Sequence, residues 1–473
     1  MALRSEASRA GFALSVAEIF ANPDLADMAE VLGSSPSPST GSSSPLASTS
    51  PSTPPDDVTE VERFSLLSKL GLSPTDEFLG DVGQECDISV DEIEDVFPAS
   101  PMQEALMALS SSRSRQGGYA LHAAFALPAE LDLARFVRAW ERTVSLYPIL
   151  RSRIISKPQG ALVVVIRTLP AVYQATSELL NEHLTQQREQ TFTYGSPLFR
   201  LDILDESTSK SRYLILNAHH SIYDGWSMKL IWQTVLDLYS SNPFPSLSPS
   251  PSPSFQSFIE ELSLQDPSSS STYWKQTLVD DEETSKFPLV PASHSPIASA
   301  SLIFRFPYNA QTTRTLSITP SELINAVWAL TLSQYTSSAS VVYGVTLSGR
   351  DVALPGAERI VGPTITTVPR RVDVRGSLPE FLRHVQRVAA DALPHQHLGL
   401  QCIRDLSPAA RRACDFTSLL IVTPGSVVDS STMGHVGIVP VPITAADFHP
   451  YPIALDCRPD NEILEVEVAF DPE

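Results

Sequence analysis

Residues 213–231 read YLILNAHHSIYDGWSMKLI. An aliphatic run, Leu214 to Leu216, leads to the adjacent histidines His219 and His220 and, after three further residues, to Asp224 and Gly225. The run suits a strand leaving a core, and GWSMKLIWQTVLDLYSS beyond it carries apolar residues at helical spacing. The stretch therefore predicts strand, polar loop and helix, with Asp224 placed to accept the amide hydrogens of the first helical turn. Gly225 permits close approach or an unusual backbone angle there. Neighbouring strand residues face opposite ways, so only one of His219 and His220 readily reaches a shared cavity. That opposes a metal held by both, and no H-E-x-x-H pattern or spaced acidic set supplies further ligands. Two readings stay open. A neutral imidazole at a cleft can take a proton near pH 7, whereas a capped turn needs no chemistry at all. A buried Asp224 needs a counter-charge, and LYPILRSRI offers Arg151 and Arg153, which share a face if that segment is extended.

Outward from this loop, strand-like and helical stretches alternate. YALHAAFAL, GALVVVIRTL and the final EILEVEVAF read as strands. LARFVRAWERTVSLYPIL reads as a helix, and beyond the insertion FQSFIEEL, STYWKQTLV, ITPSELINAVWALTLSQYT, SVVYGVTLSGR, LPEFLRHVQRVAADAL and FTSLLIVTP repeat the mixed helix and strand composition. Ser100-Pro101 marks another helix start, serine as cap and proline in the first turn. The expectation is an α/β protein of two lobes, 58–242 and 255–473, separated by a Pro/Ser-rich insertion at 243–254. Residues 1–33 form short helical patterns with too little apolar surface for a domain. Residues 34–57 are a Ser/Pro-rich linker whose composition cannot offset its ordering entropy. A last strand without a covering element suggests that the second lobe is truncated.

The chain has 473 residues, with 33 Lys and Arg against 54 Asp and Glu, a formal charge of -21. No basic stretch with interleaved aromatics accompanies that charge, which argues against a nucleic-acid partner. No long apolar segment suits a membrane span, so a cytoplasmic location is expected. Cys86, Cys402, Cys414 and Cys457 lack disulfide or zinc spacing. G-x-S-x-G and a phosphate-binding loop are absent. His395 and His397 in LPHQHLGLQ lack complementary ligands and read as part of a hydrogen-bonded loop.

HHSIYDG resembles the HHxxxDG motif of nonribosomal peptide synthetase condensation domains. EDVFPASPMQEALMALS from Glu94 to Ser110 resembles the opening motif of fungal members. LRSRI, Tyr273-Trp274, VTLSGRDVALPGAERIVGPTITTVPRRV, HQHLGLQCI and CDFTSLLIVTP resemble later motifs in the correct order. The resemblance spans about residues 58–473, while residues 1–33 are similar to the end of a peptidyl carrier domain without its phosphopantetheine-bearing serine. It implies two chloramphenicol acetyltransferase-like lobes in a V, with a tunnel where donor and acceptor carrier domains present their thioesters. It also implies that His220 faces the tunnel, that His219 supports it and that Gly225 lets the backbone turn near the reacting groups. Asp224 would organise the loop through an arginine, with Arg151 the first choice. The chain itself would bind no cofactor and no metal, since phosphopantetheine arrives on the carriers. His397 departs from an aspartate common at its position. Amide formation is the expected activity; terminal cyclisation and a carrier-binding but inactive fragment are the alternatives. The carrier and condensation order is similar to that of ferrichrome-type siderophore synthetases.

Overall fold

The computed structural model describes residues 61–111, 118–170, 172–177, 179–241, 252–279, 286–291, 293–423, 433–442, 450–460 and 462–472. The carrier-like segment 1–33, the linker 34–57 and most of the 243–254 insertion lie outside them.

The first part of the chain forms α1 (Asp76–Cys86), β1 (Ile93–Pro98), α2 (Pro101–Ser110), β2 (Ala120–Leu127) and α3 (Leu133–Leu146). It continues with β3 (Ser152–Lys157), β4 (Gly160–Ile166), β5 (Val172–Ser177), α4 (Leu180–Glu189), β6 (Phe199–Glu206), β7 (Arg212–His219) and α5 (Gly225–Ser240). α2 starts as its Ser-Pro pair predicts. The Ser100 hydroxyl accepts the Gln103 amide at 3.2 Å and the Gln103 carboxamide oxygen accepts the Ser100 amide at 3.0 Å.

β7 is central in its sheet, between β2 and β6, so both of its faces are covered. Leu214, Leu216 and Ala218 enter the main core, whereas Ile215 meets Leu180 and Leu184 of α4 on the opposite face. This accounts for an unbroken aliphatic run where a one-sided strand would alternate. α5 returns over the sheet and buries Met228, Ile231, Trp232 and Val235, one helical stripe. Trp232 lies edge-on to Phe125 at 4.6 Å and to Trp140 of α3 at 5.1 Å. Truncating a buried ring of this kind to alanine costs about 3–5 kcal/mol. The end of β7 and the start of α5 are thereby both anchored, which fixes the loop between them.

The second part comprises α6 (Phe255–Leu264), α7 (Pro267–Thr277), β8 (Ala300–Pro307), α8 (Ala310–Thr315), α9 (Pro320–Thr336), β9 (Ser340–Leu347) and β10 (Thr366–Asp373). α10 (Leu378–Ala392), α11 (Leu400–Asp405), α12 (Pro408–Cys414), β11 (Ser418–Val422), β12 (Val439–Val441), β13 (Ile453–Pro459) and β14 (Ile463–Phe470) follow. Its six-stranded sheet has the order β10-β9-β11-β13-β14-β8. β11 runs parallel to both β9 and β13, whereas the other pairs are antiparallel. Burial of Ile324, Ala329, Val341, Tyr343 and Phe381 gives this sheet a separate core.

The cores do not follow the linear division of the chain. Phe255 and Phe258 of α6, Val352, Ile360, Met433 and Ile438 all pack into the first core. β12 goes further and pairs with β2, making the first sheet β12-β2-β7-β6-β5. Segments from beyond the insertion thus complete the first lobe.

Candidate active site

The two histidines lie in different environments and carry opposite tautomers. His219 is fully buried, and its Nδ1 accepts the Ser221 amide at 3.2 Å. Its Nε2–H therefore donates to the Ser110 hydroxyl at 3.0 Å, and that hydroxyl donates in turn to the Leu106 carbonyl at 2.9 Å. Burial, with a smaller contribution from His220, pushes the His219 imidazole down to about 3. It is a neutral brace between the loop and α2.

His220 is only partly buried. Its backbone amide donates to the Tyr119 carbonyl at 2.8 Å, and its Nδ1 lies 2.8 Å from the Tyr223 carbonyl. A carbonyl can only accept, so Nδ1 carries the hydrogen and Nε2 the lone pair. The Tyr223 ring lies parallel to the imidazole, with centroids 4.9 Å apart and planes 11° from coincidence. Burial lowers the affinity of His220 for a proton; the hydrogen bond to Tyr223 and the charge of Asp224 oppose this without reversing it. The result is a neutral imidazole with a basic Nε2.

Asp224 caps α5 and is also the centre of a buried bridge between the lobes. Its Oδ1 accepts the Ser227 amide at 2.7 Å, the Ser227 hydroxyl at 2.6 Å and Arg350 Nη2 at 3.0 Å. Its Oδ2 accepts Arg350 Nη2 at 3.0 Å and both the amide and hydroxyl of Thr364 at 3.1 Å. Burial works to raise the carboxyl, but Arg350, Ser227 and Thr364 outweigh it and hold Asp224 below its ordinary range. Arg350 donates further to the carbonyls of Ala357 and Ile360 at 3.1 and 2.7 Å.

Arg350 thus occupies the role expected of Arg151. The chain at 148–151 is a 3-10 turn opened by Pro148, so Arg151 and Arg153 do not share one extended face. Arg151 pairs with Glu94 at 2.6 and 3.1 Å and also donates to the Ile166 carbonyl. Arg153 donates to the carbonyls of Cys86 and Gly195. Arg151 thus ties β1 to β4, and Arg153 ties β3 to the end of α1 and to the loop at Gly195, both away from Asp224. Gly225 takes no positive φ and opens α5, so it supplies no unusual backbone angle. The glycine that the bridge does require is Gly349, at φ +66°, where an added Cβ would sit 1.7 Å from the Thr364 carbonyl oxygen.

Gln103 and Thr364, which lie in the motif-like stretches at 94–110 and 345–372 but had no role assigned to them there, join the site. Gln103 Nε2 donates to the Ser221 carbonyl at 2.8 Å, fastening α2 to the loop. Beside Thr364, a concavity is lined by Pro101, Met102, Phe258, Leu262, Ile365 and His397. His397 donates through Nε2 to the Gly349 carbonyl at 3.0 Å, and burial pushes its imidazole down to about 4. His395 stacks on Tyr273 and meets the Ser270 hydroxyl at 3.1 Å, so these two histidines are held by hydrogen bonds in their loop. Among the described residues no cluster of His, Cys, Asp or Glu is arranged to hold a metal, and no helix is long and apolar enough to cross a membrane.

Residues 93–471 match the family model of the condensation domain. Apicidin F synthase of Gibberella fujikuroi is 42% identical over 480 residues, which cover 100% of this chain and 9% of that protein. HC-toxin synthetase of Cochliobolus carbonum is also 42% identical, over 498 residues, with the same two coverages. The chain therefore spans about 9% of the length of these relatives. Among solved structures, one described as the crystal structure of CT mutant superposes with a TM-score of 0.65 at 19% identity, covering 87% of this chain and 92% of the other. The first condensation domain of the calcium-dependent antibiotic synthetase, in complex with a substrate analogue, gives 0.61 at 16% identity, with coverages of 80% and 91%. These likenesses bear out the two-lobed α/β fold. The chain belongs to the condensation-domain family.

Proposed function

We propose that this chain forms an amide bond between an acyl or peptidyl thioester on a donor carrier domain and the amine of an aminoacyl thioester on an acceptor carrier. The observation that carries the reading is the tautomer of His220: Nδ1–H is committed to the Tyr223 carbonyl, which makes Nε2 the acceptor nitrogen. A simple α-amine has a pKa of about 7.7–8.0, so a useful fraction is neutral near pH 7. The amine nitrogen attacks the thioester carbonyl carbon as Nε2 receives its proton. Collapse breaks the carbon–sulfur bond, and the proton passes to the departing sulfur. Amide and free thiol result, and His220 returns to its neutral form. His219 holds the loop from α2, while Asp224 and Arg350 hold it from the second lobe. Bringing both thioesters together contributes several kcal/mol through proximity alone.

In this reading the phosphopantetheine arms and both substrates belong to the carriers, and the reaction is cytoplasmic. Residues 1–33 are read as the end of a peptidyl carrier domain, and they lie within the span matched by both 42% identical relatives. A ferrichrome-type siderophore is the product that the order of carrier and condensation segments suggests. The identities weigh against it, since the two 42% identical relatives are named for apicidin F and HC-toxin.

The test is single-turnover product formation from preloaded donor and acceptor carriers. His220→Ala should reduce the rate by about 10²–10⁴-fold while leaving the melting temperature close to wild type. A rate near wild type would remove His220 from the chemistry. A cyclic product from a donor bearing its own amine would assign the chain to terminal cyclisation instead.

A further inference from the structure

Tyr223 touches His220 twice, through its main chain and through its ring. The carbonyl receives Nδ1–H at 2.8 Å, while the 6% exposed ring lies face to face with the imidazole at 4.9 Å. Among the described residues His219 has no such neighbour: its ring contact, Phe192, is 5.8 Å away and inclined by 60°. The difference matters once a proton arrives. The negative face of an aromatic ring attracts a cation, and more strongly where water is excluded.

We propose that Tyr223 is a positioning residue that enables His220 to act as a base, its ring face stabilising the imidazolium formed when Nε2 takes the proton from the substrate amine. This rests on the amide-forming reading above. The other groups facing the imidazole do not replace the ring. His219 is neutral, and the charge of Asp224 is shared with Arg350, Ser227 and Thr364. The Tyr223 and Tyr119 carbonyls orient the residue by accepting hydrogen bonds from its Nδ1 and main-chain amide. The stack uses the ring and not the phenolic hydroxyl, so phenylalanine should serve.

Tyr223→Phe and Tyr223→Leu in the full chain separate the ring from the hydroxyl. Rates from preloaded carriers would be measured over about pH 5–9. The Phe variant should stay within about two-fold of wild type and keep its acid limb. The Leu variant should lose about three- to thirty-fold at the plateau, with the acid limb displaced to lower pH by about half to one unit. Pentafluorophenylalanine at position 223 preserves ring shape while reversing its electrostatic face; it should behave as Leu does, and it supplies the measurement if the Leu variant does not fold. Unchanged kinetics in both ringless and fluorinated forms, or an equal loss with Phe, would overturn the proposal. Nuclear magnetic resonance titration of labelled histidine separates it from the amide-forming reading, because it needs no turnover. A downward shift of His220 in the fluorinated form supports the stack even if no amide is made, and an unmoved titration refutes it.

Discussion

Two buried arginine–carboxylate pairs join parts of this molecule, and they behave differently. Asp224 and Arg350 have side chains 1% and 3% exposed; Glu322 and Arg370, in the second lobe, are 4% and 2% exposed. The contacts are also alike, 3.0 and 3.1 Å. Yet Asp224 is held below its ordinary range, whereas burial raises Glu322 despite Arg370. The difference lies in the remaining acceptor sites. Asp224 receives Ser227 and Thr364 through both amides and both hydroxyls, whereas the Glu322 carboxylate receives Arg370 alone among the described residues. A counter-charge does not by itself make a buried carboxylate a fixed anion; the surrounding donors do.

Asp224→Ala tests the stronger side of this contrast and should have the largest effect. It leaves Arg350 buried without its carboxylate, at a cost of about 3–5 kcal/mol in denaturant unfolding. Product formation should also fall, because the His220 loop loses its attachment to the second lobe. Arg151→Ala comes next, at about 1–3 kcal/mol, since its bonds go to Glu94 and Ile166. Turnover by the folded fraction should remain near wild type; a loss matching that of Asp224→Ala would return Arg151 to the role now occupied by Arg350.

Glu322→Gln should have the smallest effect, about 1 kcal/mol near neutrality, and its pH dependence is the sharper readout. Because folding raises the Glu322 pKa, its protonated form contributes stability below the unfolded value that is lost as pH rises through the folded value. The advantage of wild type over Glu322→Gln should therefore shrink with rising pH. Asp224 has the opposite sign: its stabilisation is present above the unfolded pKa and lost as pH falls through the folded one. Unfolding curves at several pH values would detect a common sign, which would dissolve the distinction between the pairs.

The local parts of this site were legible in sequence. Apolar spacing placed β7 and α5, Ser100-Pro101 placed α2, and strand alternation separated His219 from His220. The arginine partner was not legible, because Arg350 lies 126 positions from Asp224 and no periodicity spans that distance. The two-residue spacing of Arg151 and Arg153 favoured a local solution, which the 3-10 turn at Pro148 rules out. A usable signal was Gly349 directly before Arg350 at the end of an apolar strand, a position where only a missing side chain admits the Thr364 carbonyl. α1 was obscured by Gly80 and Gly83, and α4 by its polar LNEHLTQQRE composition. β12 is a three-residue strand with Pro440 at its centre, too short for an alternation pattern.

That short strand bears on how the chain is made. The β2 edge meets Val439–Val441, which emerges roughly 300 residues later. At about 5–20 residues per second, the first sheet waits on the order of 15–60 s for its last member. During that interval the nascent protein presents an open strand edge, a site where chaperones would be expected to engage and neighbouring chains on a polysome could pair wrongly.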